Sequence, residues 1–221
     1  MADPEPLIRW DWLATRLDML WERTIEHLLL TSIAVVVGFV IAFVLSLIIR
    51  RRPGTYTPIT AAAGILYTIP SLALFALLIP ITGLTILTAE IALVSYTLLI
   101  LVRNTVAGLQ GVPPEVREAA VAMGYTSWAR LWRVELPLAL PVIVAGLRIA
   151  TVTTVGLVTV SALIGQGGYG RLIEDGLRRF FPTMYLTGAV LSVVLAVLAD
   201  ALFVLLQRRA TPWARVRQER G

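Results

Sequence analysis

Five stretches of this 221-residue chain are apolar over roughly the 20 residues a helix needs to cross a bilayer. They run from about His27 to Ile49, Ile59 to Ile81, Ile86 to Val102, Leu138 to Ile164 and Tyr185 to Leu206. Hydrocarbon offers no water to backbone N–H and C=O groups, so each stretch must close its own hydrogen bonds, and open sheets are ruled out. The predicted fold class is therefore an all-α integral membrane protein with about five transmembrane helices. A chain that is 57% hydrophobic and 15% charged, with a mean hydropathy of +0.81, also lacks the polar surface of a water-soluble globule. The third stretch is short and the fourth long. Pro58, Pro70 and Pro80 lie in or beside the second, which predicts a span kinked or unwound against protein or a water-filled cavity.

Charge sets an orientation. Arg50, Arg51 and Arg52 close the first stretch, Arg103, Arg117, Arg130 and Arg133 surround the interval after the third, and Arg208 and Arg209 follow the fifth. Arginine collects on the cytoplasmic side of membrane proteins, which puts the N-terminus outside and the C-terminus inside. Arg171, Arg178 and Arg179 run against that rule in the predicted outer loop, partly offset by Glu174 and Asp175. Residues 1–26 read as an N-terminal interfacial amphipathic segment, with Leu7, Trp10, Leu13, Leu17, Leu20 and Trp21 at near-helical spacing; a partly ordered flank is the alternative. Its first residues do not resemble a cleaved secretory signal. Residues 27–209 form the transmembrane domain, and 210–221 a basic cytoplasmic tail.

Several chemistries are excluded. There is no cysteine, hence no disulfide, thiolate metal site or cysteine nucleophile. All 19 basic residues are arginines, and without lysine a phosphate-binding G-x4-G-K-[ST] loop cannot form. The net charge of +5 is scattered along membrane flanks, so no nucleic-acid partner is expected. His27, the only histidine, is expected at the interface with no metal or acid–base partner, and the clustered His, Asp or Ser groups of a membrane enzyme are missing. Catalytic residues and metal ligands are thus predicted to be none.

The polar interval from Pro113 to Pro137, PPEVREAAVAMGYTSWARLWRVELP, interrupts this apolar chain. Pro113 and Pro114 favour a helix start, with Glu115 and Glu118 expected in the first turn, where they suit the helix dipole. Gly124 is expected to end that helix. Thr126 or Ser127 then caps a second short helix, with Trp128, Leu131 and Trp132 on one side and Arg130 and Arg133 on the other, expected to stop at Leu136–Pro137. An amphipathic hairpin anchored by tryptophans at the headgroups would explain the aromatic residues alone.

The same interval spells E-A-A-x3-G-x9-V-x-L-P, from Glu118, Ala119 and Ala120 through Gly124 to Val134, Leu136 and Pro137. This pattern resembles the cytoplasmic loop of permease subunits of ATP-binding-cassette importers, and the likeness runs from about Thr31 to Arg209. The resemblance implies the type I importer permease architecture, like that of methionine importers, with a coupling loop at 104–137 that seats on a separate ATPase. Glu118, Ala119, Ala120, Met123, Gly124, Tyr125, Leu136 and Pro137 would carry that contact. It also implies two ATPase subunits holding ATP and magnesium, a second permease copy or homologous permease, an extracytoplasmic solute-binding protein, and a place in the bacterial cytoplasmic membrane, with no cofactor bound by this chain. TIPSLALFALLIP, YTLLILVRNTVAGLQGVPPEVREAAVAMG and VELPLALPVIVAGLRIATV are most similar to permeases for glycine betaine, choline, carnitine or proline. A methionine or other amino-acid importer is the alternative. A channel or secondary carrier would leave the docking pattern unexplained.

Other features bear on the path. The run Gly165-Gln166-Gly167-Gly168-Tyr169-Gly170 contains G-x-G-x-x-G but follows a membrane-length segment instead of a strand, so it reads as a tight outer turn, not a dinucleotide fingerprint. Its likeness to the glycine-rich segment of osmoprotectant and methionine importers implies a gate or a binding-protein contact; a plain loop is the alternative. Tyr67, Pro70, Tyr96, Arg148, Gly165, Gly167 and Gly168 are the candidates for path or gate. Glu90, Arg148 and Asp200 are costly in hydrocarbon unless paired, cavity-facing or interfacial.

Overall fold

A computed structural model describes residues 7–210. Every regular element among the described residues is helical. Helix α1 is Trp10–Thr15, α2 Leu17–Arg51, α3 Tyr56–Thr68, α4 Ser71–Thr82, α5 Ile86–Gln110, α6 Pro114–Ala122, α7 Ser127–Arg130, α8 Leu136–Val160, α9 Tyr169–Arg178 and α10 Pro182–Ala210. Among the described residues, four helical runs are long and apolar enough to cross a membrane: Leu17–Arg51, Ile86–Gln110, Ser127–Ile164 and Pro182–Arg209. A fifth crossing exists if α3 and α4 count as one span, since they meet at 96° across a short break.

That break has a local cause. Ile69 precedes Pro70, and the residue before proline is driven out of the α region; Pro70 itself sits at φ −56°, ψ 136° before α4 begins. Pro58 falls in the first turn of α3, where an absent N–H breaks no helical bond, and Pro80 lies in the last turn of α4. Of the three prolines, Pro70 breaks the span and the others are absorbed.

Element lengths differ from the hydropathy reading where polar residues continue a helix. Helix α5 runs on to Gln110 and is not short. Helix α2 starts at Leu17, so residues 17–26 of the N-terminal segment are its opening turns, and a helical break falls at Arg16 (φ −125°, ψ 25°). No proline or glycine occurs in 17–26, and Arg23 pairs with Glu26 one turn on at 2.7 Å. Of the tail at 210–221, Ala210 closes α10 and the rest lies outside the described residues, as do residues 1–6.

The chain folds as two compact units, one comprising 7–35, 69–94 and 151–198, the other 36–68, 95–150 and 199–210 among the described residues. In the first, Tyr169, Leu172 and Met184 form a buried cluster against Trp12, Met19, Leu20 and Phe181. The N-terminal segment is tied to the start of α10: the Arg9 N–H donates to Thr183 Oγ1 at 2.9 Å, and Trp12 meets Phe181 edge to face at 5.3 Å. In the second unit, Ala42, Ile49, Leu101, Val102, Val106 and Ala150 are buried together. Small residues allow this close approach of helices; a Cβ on Gly38 would fall 1.9 Å from Thr97 Oγ1. On α10, Val190, Val193, Val197 and Leu198 are each about 60% exposed, an apolar face turned outward as lipid-facing residues require.

Candidate functional site

The polar interval forms a hairpin of short helices within the second unit. Pro113 (φ −55°, ψ 138°) leads into α6 with Pro114 at its first position and Glu115 in the first turn. Glu118 does not lie in that turn; it falls one turn later and is exposed. Helix α6 ends in a two-bond reversal: the Gly124 N–H donates to Val121 O at 2.9 Å and the Tyr125 N–H to Ala120 O at 3.1 Å. This motif needs a left-handed residue between its bonds, and Gly124 supplies it at φ +82° with open space around its Cα. Of the two candidate caps for α7, Thr126 serves, its Oγ1 accepting from the Ala129 N–H at 3.2 Å.

The second short helix does not stop at Leu136–Pro137. Residues Leu131–Glu135 form a π-helical turn, closed by the Leu136 N–H donating to Leu131 O, and the chain continues directly into α8. Pro137 cannot donate and its ring would strike the carbonyl four residues back. The extra residue in the turn moves that carbonyl aside. The hairpin is thereby welded to a membrane-length helix.

What the hairpin shows to its surroundings is partly apolar. Ala120 and Leu131 are buried at 1%, whereas Met123 is 69%, Trp128 55%, Val121 53% and Trp132 48% exposed. Glu118, Ala119 and Gly124 are exposed as well. Trp128 and Trp132 are in edge contact at 5.5 Å, and Trp132 lies 6.2 Å from Phe43. The expected two-sided division of aromatic and basic residues is only partly realised, since Leu131 turns inward and Arg130 is drawn into an ion pair.

That pair centres on Glu135, a residue that no motif or spacing along the chain singles out. Its side chain is 4% exposed and receives Arg50 Nε at 2.7 Å and Arg130 Nε at 2.8 Å. Arg50 Nη2 adds bonds to Glu135 at 3.1 Å and to Ser127 O at 3.3 Å. Two guanidinium groups on one carboxylate make a charge-assisted network. It ties the last turn of α2 to the hairpin and to the foot of α8.

The remaining candidates divide between the units. In the second, Tyr67 and Tyr96 meet edge on at 6.0 Å. Arg148 and Asp200 are paired with each other, the guanidinium forking onto the carboxylate with Nη2 to Oδ2 at 2.8 Å. In the first unit, Pro70 marks the α3–α4 break, and Gly165, Gly167 and Gly168 carry φ of +84°, +117° and +51° through the turn before α9. His27 is fully buried within the fold: Nε2 faces Val155 O at 3.1 Å and Nδ1 accepts from the Tyr169 N–H at 3.3 Å. An accepting Nδ1 leaves the proton on Nε2, so the imidazole is held neutral as a clasp on the glycine turn. Glu90 is also buried, and neither carboxylate oxygen has a hydrogen-bond partner.

A polytopic helical subunit with an exposed hairpin welded to one span is the class that fold and site define. The chain belongs to the family of binding-protein-dependent transport system inner membrane components, whose model matches residues 34–212. It is similar to the osmoprotectant import permease protein OsmW of Salmonella typhimurium, 41% identical over 86% of this chain and 90% of that protein. It is likewise similar to the glycine betaine/carnitine/choline transport system permease protein OpuCB of Bacillus subtilis, 36% identical over 86% and 88%. Among solved structures, the methionine ABC transporter MetNI in an inward-facing conformation aligns with a TM-score of 0.80 at 26% identity, over 89% of this chain and 98% of that one.

Proposed function

We propose that this chain forms the path of an ATP-driven importer for osmoprotectants, either quaternary amines such as glycine betaine, choline and carnitine or the imino acid proline. A separate ATPase moves it through the coupling loop at 104–137, of which residues 104–110 are the end of α5 and the hairpin of short helices is the remainder. The observation that carries the reading is the exposed surface of Glu118, Ala119, Val121, Met123 and Gly124, backed by the clamp of Arg50 and Arg130 on Glu135. Small and apolar residues allow close approach of a partner, and the clamp passes displacement on to α2 and α8 as a rigid body. The proposed substrate class rests on the likeness to OsmW and OpuCB.

In this scheme two ATPase subunits hold the nucleotide, a second permease completes the path, and a solute-binding protein delivers the solute from outside. Nucleotide shifts the balance between two conformations, and the solute crosses chemically unchanged. The hairpin and the tail at 210–221 face the cytoplasm in this reading, and Tyr67, Tyr96 and the glycine turn belong to path or gate.

The test is uptake into proteoliposomes that contain this chain with a partner ATPase, supplied with a partner solute-binding protein. ATP-dependent accumulation of labelled betaine, choline, carnitine or proline, with none of methionine, is expected. Accumulation of methionine alone overturns the substrate class. Gly124→Trp adds bulk at an open surface and should abolish uptake while the subunit still inserts; normal uptake at equal expression sinks the coupling role.

A further inference from the structure

Beneath the hairpin, within the second unit, lies a cavity of about 570 Å³ whose wall is strongly basic. Arg50, Arg51, Arg117 and Arg130 line it, with Glu135 as its one acid. Glu135 is already engaged by Arg50 and Arg130. Arg51 is exposed and has no ion-pair partner among the described residues. Arg117 spends its Nη2 on the backbone carbonyls of Leu109 and Gln110, while its buried Nε–H has no acceptor. The cavity therefore holds more guanidinium than its carboxylate neutralises, with donors left over for an anion.

A second, smaller hollow of about 230 Å³ adjoins it, sharing Arg50, Arg51 and Trp128, and is otherwise lined by Val44, Leu47, Ile48 and Leu131. Val44, Leu47, Ile48 and Arg51 stand at i, i+3, i+4 and i+7, one face of α2. Val44 is 52% and Ile48 42% exposed, so the groove is open along its length. From Arg51 to Val44 the helix rises about 10 Å, which carries the groove into the apolar body of a membrane-crossing helix. A protein partner arriving from water has no route to that depth; an acyl chain does.

The geometry points to a binding site for an anionic phospholipid, its phosphate held by Arg51 and Arg117 in the basic cavity and one acyl chain laid along Val44, Leu47 and Ile48. Guanidinium forks match phosphate oxygens in number and plane, and Trp128 stands between the two hollows, as aromatic residues do at the headgroup level. The volume suits a glycerophosphate group, within the range of small-ligand sites. A bound lipid would join the last turn of α2 to the hairpin, bracing the same corner as the Glu135 clamp.

Native mass spectrometry of the purified full-length chain in detergent tests this by titration with phosphatidylglycerol and, in parallel, phosphatidylcholine. The expected result is preferential retention of phosphatidylglycerol, weakened about fivefold in Arg51→Gln and similarly in Ile48→Trp, which fills the groove and keeps every arginine. Inorganic phosphate is the third arm, and it should not displace the lipid. Equal binding of the two lipids, or unchanged preference in both variants, overturns the site. Displacement by millimolar phosphate in wild type, with Ile48→Trp indifferent, shows a free-phosphate site and overturns the lipid assignment. If Arg51→Gln does not elute as folded protein, Arg51→Leu is used; if Ile48→Trp does not, Ile48→Phe takes its place, with the same outcomes.

Discussion

Gly124 and Gly168 both hold positive φ, +82° and +51°, but in opposite surroundings. A Cβ on Gly124 meets nothing within 4 Å, whereas on Gly168 it would stand 2.6 Å from His27 Cβ and 2.8 Å from Arg23 O. Gly124→Ala should therefore cost about 1 kcal/mol, the left-handed penalty alone. Gly168→Ala adds overpacking of about 1–3 kcal/mol, so thermal unfolding in detergent should rank it clearly the less stable; equal melting temperatures would contradict the packing. Glu135 and Glu118 form a similar contrast. Glu135→Gln leaves Arg50 and Arg130 facing a neutral amide in a nearly closed site, and should lose about 3 kcal/mol, the lower end for a broken buried pair because both arginines stay partly exposed. Glu118→Gln, at an exposed position, should shift stability by no more than about 0.5 kcal/mol and act on uptake instead. Melting curves paired with uptake for the two variants separate the roles.

Among the elements, the turn before α9 depends on a clasp from α2. His27 accepts from the Tyr169 N–H, at the first position of α9, and bonds Val155 O on α8. In His27→Ala the Tyr169 N–H loses its partner in a buried place, at a cost of about 1–3 kcal/mol, while Val155 O keeps its helical bond within α8. Hydrogen exchange should quicken in peptides covering 165–172 and stay unchanged over α6; protection unaltered at 165–172 would show that the clasp does not hold the turn. The Tyr169 hydroxyl adds a bond to Thr24 at 2.9 Å, which fixes the same contact from the ring side. Helix α8 depends in a comparable way on its entrance, where the π-turn at Leu131–Glu135 makes hairpin and span one continuous piece. Leu-Pro at 136–137 reads as a stop only if every helical turn has the same width.

At the scale of the whole molecule, membrane location follows from family and hydropathy, and the proposed orientation is open to direct measurement. The chain has no cysteine, so single cysteines can be introduced without a background. Met123→Cys, at a residue 69% exposed, should react with an impermeant maleimide only when the cytoplasmic face is open. Arg178→Cys, whose native side chain is 71% exposed, should react from the outside of intact cells. The reverse pattern would invert the topology and put the hairpin out of an ATPase's reach.

Sequence by itself determined what local chemistry and solvent decide. Apolar length set the helical class, Gly124 set the reversal of the hairpin, and prolines set an interruption of the second stretch, because each acts within a turn of its own position; the choice of Thr126 over Ser127 as cap and of Pro70 as the break came with the structure. Tertiary structure alone decided what distant residues do to one another. Arg50 lies 85 residues from Glu135, His27 142 from Tyr169 and Arg148 52 from Asp200, and no periodicity or spacing links them. A buried charge or imidazole must find its partner in space; until the helices pack, nothing along the chain marks which residue that partner is.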